Sequence, residues 1–194
     1  MVNSPAVVAE HTPNPDAIKF LLGRACFDPV AVGRSGFDFV DPADAASVSP
    51  LAAALLALDG VRRVFVGPDF VAVTRDPAAG WRELGARVIA RIREFLVSDR
   101  PCLDAEAARA AAPPVDTDRD EDAARVRSLL ENEIRPLVAL HGGDVQFLGY
   151  ADGVVSLALR GACAGCPASE ATLRGQIETR LRAALPGFVR VDAR

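Results

Sequence analysis

The stretch Val154-Val155-Ser156-Leu157-Ala158-Leu159-Arg160-Gly161-Ala162-Cys163-Ala164-Gly165-Cys166-Pro167 reads as a strand, a tight loop and the first turn of a helix. Short aliphatic runs bounded by turn residues are strand signals. Gly161 and Gly165 relieve crowding where backbone must approach a bound group. Cys166 falls at the N-cap and Pro167 at the first helical position, where a missing N–H costs nothing. Upstream, Asp152-Gly153 marks a two-residue hairpin turn that joins Val154 to Arg160 with a strand over Val145 to Tyr150. Downstream, Leu173, Ile177, Leu181 and Leu185 recur at helical spacing, with Glu170–Arg174 and Glu178–Arg182 as favourable i,i+4 pairs. Pro186-Gly187 ends that helix, and Phe188 to Val191 forms a last strand.

Before the hairpin, Val126, Leu129, Leu130, Ile134, Leu137 and Val138 describe one face of a helix that Gly142-Gly143 terminates. Pro136 falls inside it and predicts a kink in the last turns. Residues 123–194 therefore read as an α-β-β-α-β unit. Residues 99–122 lack a large-apolar rhythm after Leu103; Pro113-Pro114 favours extended backbone and the acidic run from Asp116 to Asp122 repels itself, so this segment reads as a solvated linker with a partly helical Ala-rich stretch. Residues 1–98 read as a small α/β domain. It has a strand over Ile18 to Leu22, a helix capped by Ser49-Pro50 and stopped by Gly60, a hairpin of Val61 to Val66 with Phe70 to Thr74, and an amphipathic helix on Trp81, Leu84, Val88, Ile92 and Phe95. The fold class is α/β (α+β): two small two-layer domains joined by a flexible linker.

Half of the residues are apolar, enough for ordinary cores. The net charge of -4 is concentrated in residues 99–122, which hold 3 basic and 8 acidic side chains. The rest is too weakly charged for a nucleic-acid surface. No apolar run is long enough to span a bilayer. Met1 to Glu10 has neither a basic n-region nor an apolar h-region, so the chain is expected in the cytoplasm of a bacterium, or in the mitochondrial matrix as a mature form. Four cysteines do not make a disulfide framework in a chain of this size.

Reactive chemistry is concentrated at Cys163 and Cys166. Both thiols leave one turn, at the start of a helix whose dipole and unpaired N–H groups favour thiolates and anionic ligands. Four uses compete. Two buried thiols without a ligand are one. A structural zinc site needs four ligands, and no second C-x-x-C or His pair exists within the chain, so it would be shared across a dimer. A dithiol–disulfide oxidoreductase fits the local strand–loop–helix but not the surrounding α-β-β-α-β order. An iron–sulfur cluster wants four thiolates, which two copies of this loop supply. Cys26, beside Phe27, reads as a small buried side chain, and Cys102 lies at the linker start without a ligand-spaced partner. His141 reads as a surface or capping residue.

Ile134-Arg135-Pro136, His141-Gly142-Gly143-Asp144-Val145 and Gly161 to Pro167 resemble the C-terminal NifU-like domain. Thr12-Pro13-Asn14-Pro15, Lys19-Phe20, Ser49-Pro50-Leu51-Ala52, Gly60-Val61 and Val64 to Phe70 resemble the Nfu N-terminal domain. Together they resemble the Nfu-type iron–sulfur scaffold or carrier proteins over nearly the whole chain. The resemblance implies a non-enzymatic carrier. It would bind a [4Fe–4S] cluster between two subunits through Cys163 and Cys166, receive it from an upstream assembly scaffold and pass it to apo iron–sulfur client proteins. A bridging [2Fe–2S] form has the same ligand count. It implies a homodimer on cluster binding, an exposed seam that permits ligand exchange, and an N-terminal domain without cluster ligands that assists partner recognition. A pure interaction adaptor, with an incidental Cys pair, is the remaining class.

Overall fold

The structure, a computed structural model, describes residues 6–98, 100–111 and 121–193, and only the backbone of 167–171. Pro113-Pro114, Asp116 to Asp120 and the side chain of Glu170 lie outside the described residues. The N-terminal domain is a five-stranded antiparallel sheet in the order β1-β2-β5-β4-β3, formed by β1 (Val8–His11), β2 (Ala17–Leu21), β3 (Phe37–Phe39), β4 (Val61–Val66) and β5 (Phe70–Arg75). Helices α1 (Pro29–Val32), α2 (Pro42–Val48), α3 (Pro50–Leu56), α4 (Trp81–Val97) and α5 (Ala105–Ala110) complete it. Phe20, Val64, Val66, Val71 and Val73 on the sheet pack with Leu51, Leu55, Leu84, Val88 and Ile92 of the helices in one core. Trp81 sits at its edge, with its indole N–H donated to Pro15 O.

Ser49 stops one helix and starts the next. Its N–H donates to Ala45 O at the end of α2, and its Oγ accepts from the Ala52 N–H in the first turn of α3. The same hydroxyl donates to Cys102 O at 2.6 Å. Part of the segment expected to be a linker is thereby built into the domain. Cys102, Leu103 and Ala108 are apolar and join the N-terminal core, and Asp104 caps α5 by accepting from the Glu106 and Ala107 N–H groups. The short elements β1, β3, α1 and α2 were not expected from the sequence; each is seven residues or fewer, too short for periodicity to speak.

The C-terminal domain follows the expected α-β-β-α-β order. Its three-stranded sheet runs β6 (Gly143–Ala151), β7 (Val154–Gly161), β8 (Arg190–Ala193), with β6 and β7 antiparallel and β7 and β8 parallel. The hairpin turn has positive φ at both Asp152 and Gly153, the requirement of a type I′ turn. Helix α8 (Pro167–Ala184) buries Ile177 and Leu181 against Val126, Leu130, Ile134, Val145, Val155 and Leu157. The Glu178–Arg182 pair forms at 3.7 Å. Pro136 does not simply kink a helix. The α-helical ladder of α6 (Glu121–Leu129) widens to a π-turn at Leu130–Ile134, and α7 (Arg135–Leu140) restarts with Pro136 in its first turn. The inserted residue removes the conflict between the proline ring and the preceding carbonyl.

The two domains meet face to face. Strands β4 and β5 are apolar on both sides: Val64, Val66, Val71 and Val73 face the helices, while Phe65, Phe70 and Ala72 form a second cluster on the other face. The C-terminal domain covers that second cluster. Gly142 lies over Ala72 and Lys19, and Gly161 lies under the Phe65 ring, so close that a Cβ at either would meet these neighbours at 3.3 Å or less.

Ser49→Ala should destabilise the full chain by about 2 kcal/mol. It removes the α3 cap and leaves Cys102 O buried without its donor. A lower urea midpoint at unchanged slope checks this; an unchanged midpoint would show that the hydroxyl secures neither element.

Candidate functional site

The Cys loop is shaped by backbone. Gly161 and Gly165 have φ of +62 and +70, the left-handed region that favours glycine. Between them, Cys163 N–H donates to Arg160 O at 3.3 Å and Ala164 N–H to Gly161 O at 3.1 Å. These turns bring Cys166 to the N-cap of α8 with extended dihedrals, as the sequence predicts. Opposite the loop, Gly143 pairs with Gly161 across the hairpin, and a Cβ on Gly143 would run into Cys163 Sγ. Gly142-Gly143 therefore ends a helix and also makes room for a thiol. None of the four cysteines is in a disulfide. Among the described residues, no cluster of three or more His, Cys, Asp or Glu forms a ready metal site. Each chain offers this loop two sulfurs and no more.

Both sulfurs are covered, not exposed as a carrier seam would suggest. Cys163 is 5 % and Cys166 1 % exposed. Cys163 packs into the C-terminal core, and the N-terminal domain closes on the backbone beside the loop through contacts made by residues 14 to 35. Asn14 Nδ2, itself buried, donates to Ala162 O at 3.0 Å. Lys19 Nζ donates to Ala139 O at 3.1 Å and Leu140 O at 3.3 Å, the last carbonyls of α7, where a cation also meets the negative end of the helix. Lys19 reaches this place over the Phe70 ring, 4.7 Å from its centroid. Ser35 Oγ donates to Asp144 Oδ2 at 2.7 Å.

Burial decides the state of Cys163. Its thiol is pushed up to about 12, first by burial, then by the neighbouring Cys166 and the Asp144 carboxylate. The helix start was expected to favour thiolate. A helix terminus contributes at most about 2 kcal/mol to a nearby charge. The rise from 9.0 to about 12 corresponds to about 4 kcal/mol the other way, so Cys163 is a thiol in this closed arrangement. Asp144 is also pushed up by burial, against the opposing hydrogen bond from Ser35 and the charge of Arg135, whose Nε lies 3.5 Å from Oδ1.

A cavity of about 300 Å³ opens behind the loop, lined by Arg63, Leu159, Arg160, Ala164, Gly165, Arg174 and Ala193. Three guanidinium groups around one cavity favour negative charge beside the cysteines. Arg63 pairs with Asp38 and Arg160 donates to Gln146 Oε1 at 3.2 Å. His141 caps the end of α7 on the surface, as expected. Sequence reasoning missed Asn14, Lys19, Ser35 and Phe65 as parts of the site. The continuous apolar runs Val64-Phe65-Val66 and Phe70-Val71-Ala72-Val73 carried the signal, since a strand that is apolar at every position is covered on both faces. It also missed that Cys26 and Cys102 meet each other. No helix among the described residues is long and apolar enough to cross a membrane.

Residues 7–99 match the family described as scaffold protein Nfu/NifU N terminal, and residues 126–192 match the NifU-like domain. The chain is 38 % identical over 178 residues to NifU-like protein 4, mitochondrial, of Arabidopsis thaliana, covering 90 % of this chain and 61 % of that protein. It is 37 % identical over 186 residues to the NFU1 iron-sulfur cluster scaffold homolog, mitochondrial, of Drosophila willistoni, covering 96 % and 62 %. The chain thus spans less than two thirds of the length of these relatives. The solution structure of a NifU-like protein from Saccharomyces cerevisiae aligns with a TM-score of 0.45 at 21 % identity, over 52 % of this chain and 85 % of that one.

Alkylation of Cys163 by iodoacetamide should be slow at pH 8 and rise about tenfold per pH unit up to pH 11, because only the thiolate reacts and its raised titration keeps it scarce below that. Replacing Asn14 and Lys19 together by Ala should speed the reaction at pH 8 by tenfold or more, as the thiol regains solvent. Equal rates in the two proteins would mean that the N-terminal domain does not cover the loop in solution.

Proposed function

The chain belongs to the Nfu/NifU family of scaffold proteins, and on that premise we propose that it carries an iron–sulfur cluster as cargo between two copies of itself and passes it to apo-proteins. The observation that carries this reading is the half-site: two cysteines on one glycine-relieved turn, in a chain whose described residues bring no further metal-binding cluster to them. A four-thiolate cluster then takes Cys163 and Cys166 from each of two chains. A [4Fe–4S] cargo uses all four thiolates, and a [2Fe–2S] cargo needs the same four. The relatives named as cluster scaffolds support the role.

These residues supply a sequence of events. In the closed arrangement Cys163 is protonated and both cysteines are buried, so neither a second chain nor a cluster reaches them. Loading therefore requires Asn14 and Lys19 to release the loop. Once open, solvent lowers the cost of the thiolate, and the helix start and the arginines around Gly165 hold the added negative charge. Release is ligand exchange and not catalysis: acceptor thiolates displace Cys163 and Cys166 one at a time. Residues 123–194 are the cluster unit and residues 1–98 the recognition unit, with 99–122 between them. The face of β4 and β5 freed on opening is available to an upstream scaffold or an apo client. The compartment is a reducing one, a bacterial cytoplasm or a mitochondrial matrix; the relatives' mitochondrial names favour the second for the family.

A dithiol–disulfide oxidoreductase using the same cysteines is disfavoured by a specific observation. Such an enzyme needs an exposed thiolate with a lowered pKa, and here the pair is buried with Cys163 raised.

Anaerobic reconstitution with iron and sulfide should give a brown dimer holding about two iron atoms per chain, the share of a four-iron cluster between two chains. Cys163→Ser and Cys166→Ser should each lose both colour and dimer, and full cluster retention in either variant would overturn the assignment. Mössbauer spectra of the wild-type protein distinguish the two cluster types. Gly143→Ala leaves every cysteine in place but displaces Cys163 Sγ; it should lower the iron content severalfold, and undiminished loading would show that the thiol geometry set by Gly143 is irrelevant.

A further inference from the structure

A second pair of cysteines lies in the N-terminal domain, apart from the Cys loop. Cys102 is 2 % exposed within the core and half-buried Cys26 packs against that core. Their thiols hydrogen-bond to each other, and Arg24 Nη2 lies 3.8 Å from Cys102 Sγ. Their backbones are anchored independently. The Cys26 N–H donates to Pro68 O in the β4–β5 turn. Cys102 O is held by Ser49, and the following Asp104 N–H donates to Val48 O at 2.8 Å. Two sulfurs brought into contact by separately fixed backbones need only a short approach to bond, without rearrangement of the domain.

We propose that Cys26 and Cys102 form a second redox site, a dithiol that a small hydroperoxide converts into an intramolecular disulfide. The pair shares one proton. Cys102 is brought down to about 6 by the hydrogen bond from Cys26, with Arg24 adding to it against the cost of burial. Cys26 is pushed up by the same hydrogen bond and by burial. At neutral pH the couple is a Cys102 thiolate beside a Cys26 thiol, an attacking group and a resolving group in contact. The Cys102 thiolate attacks one peroxide oxygen; the O–O bond breaks, hydroxide leaves, and Cys102 becomes a sulfenic acid. Cys26 sulfur then attacks Cys102 sulfur; the S–O bond breaks and water leaves with the Cys26 proton. The two sulfurs have given two electrons to the peroxide. Cys26 is the more exposed member of the pair, so the expected oxidant is a small hydroperoxide and not a bulky disulfide. The bond would tie the segment 100–111, already held by Arg34 Nη1 on Ala111 O and Arg109 Nε on Ala31 O, covalently to the loop after β2. The point where the inter-domain connection leaves the N-terminal domain would then be fixed.

The test uses the full chain carrying Cys163→Ser and Cys166→Ser, so that Cys26 and Cys102 are the only thiols. Equimolar hydrogen peroxide at pH 7 should lower the intact mass by about 2 Da, give a Cys26–Cys102 cross-linked peptide and be reversed by dithiothreitol. Adding Cys26→Ser should halt the reaction at a sulfenic acid on Cys102, trapped by dimedone, and Arg24→Gln should slow it about tenfold. Oxygen gain without a cross-link, disulfides between molecules, or oxidation only in urea would overturn the proposal. Should the double variant fail to fold, differential alkylation and peptide mapping of the oxidised wild-type chain read the same bond with the same outcomes.

Discussion

The second apolar face of β4 and β5 is the constraint on which the molecule's arrangement turns. A five-stranded antiparallel sheet backed by helices on one side ordinarily leaves its other side to water. Here Phe65, Phe70 and Ala72 stand on that other side, and leaving two phenylalanines exposed would forgo about 1.5–3 kcal/mol each. The C-terminal domain supplies the cover, and what it presents there is glycine, Gly142 and Gly161, with Gly143 beside them leaving room for Cys163. The same glycines let the cysteine turn form. One set of missing side chains thus serves both the seam between the domains and the room around Cys163.

Closure and chemistry are coupled through that seam. The polar contacts that finish it, from Asn14, Lys19 and Ser35, end on Ala162, on the last carbonyls of α7 and on Asp144, each within a few residues of Cys163 along the chain or across the hairpin. The seam thus closes on the backbone that carries the thiols, while Cys163 itself packs into the C-terminal core. A C-terminal unit alone would keep its core, which Val126, Ile134, Leu157, Ile177 and Leu181 build with Cys163 among them, while Gly142, Gly161 and Ala162 beside the loop would lose their N-terminal partners.

Much of this was legible in the residues. Period-3.6 stripes located α4 and α8, Ser49-Pro50 located the start of α3, and Asp152-Gly153 located the hairpin whose far end carries the cysteines. Each is a local signal that local physics obeys. Non-local features were harder. Cys26 and Cys102 are distant in sequence and meet only because Ser49 draws the segment after α4 back onto the core. The protonation of Cys163 went against the local expectation for a similar reason: a helix start is visible in Cys166-Pro167, whereas the packing that buries the thiol is built from residues distant in sequence. Pro136 is an intermediate case. The disturbance was evident, but the choice of a π-turn over a bend depends on keeping Leu130 and Ile134 in the core on either side of it.

Lys19 is the only lysine in the chain, beside 21 arginines, and it is the residue that pins the N-terminal sheet to the end of α7. Apart from the α-amino group, the chain then has one primary amine, 8 % exposed and engaged by two carbonyls. Amine-directed chemistry on this protein is in effect single-site. Acylation at that nitrogen would remove both the charge and the donors that face α7, so a lysine-acylating agent would act as a wedge between the domains, and the speed of its reaction would report how often they part.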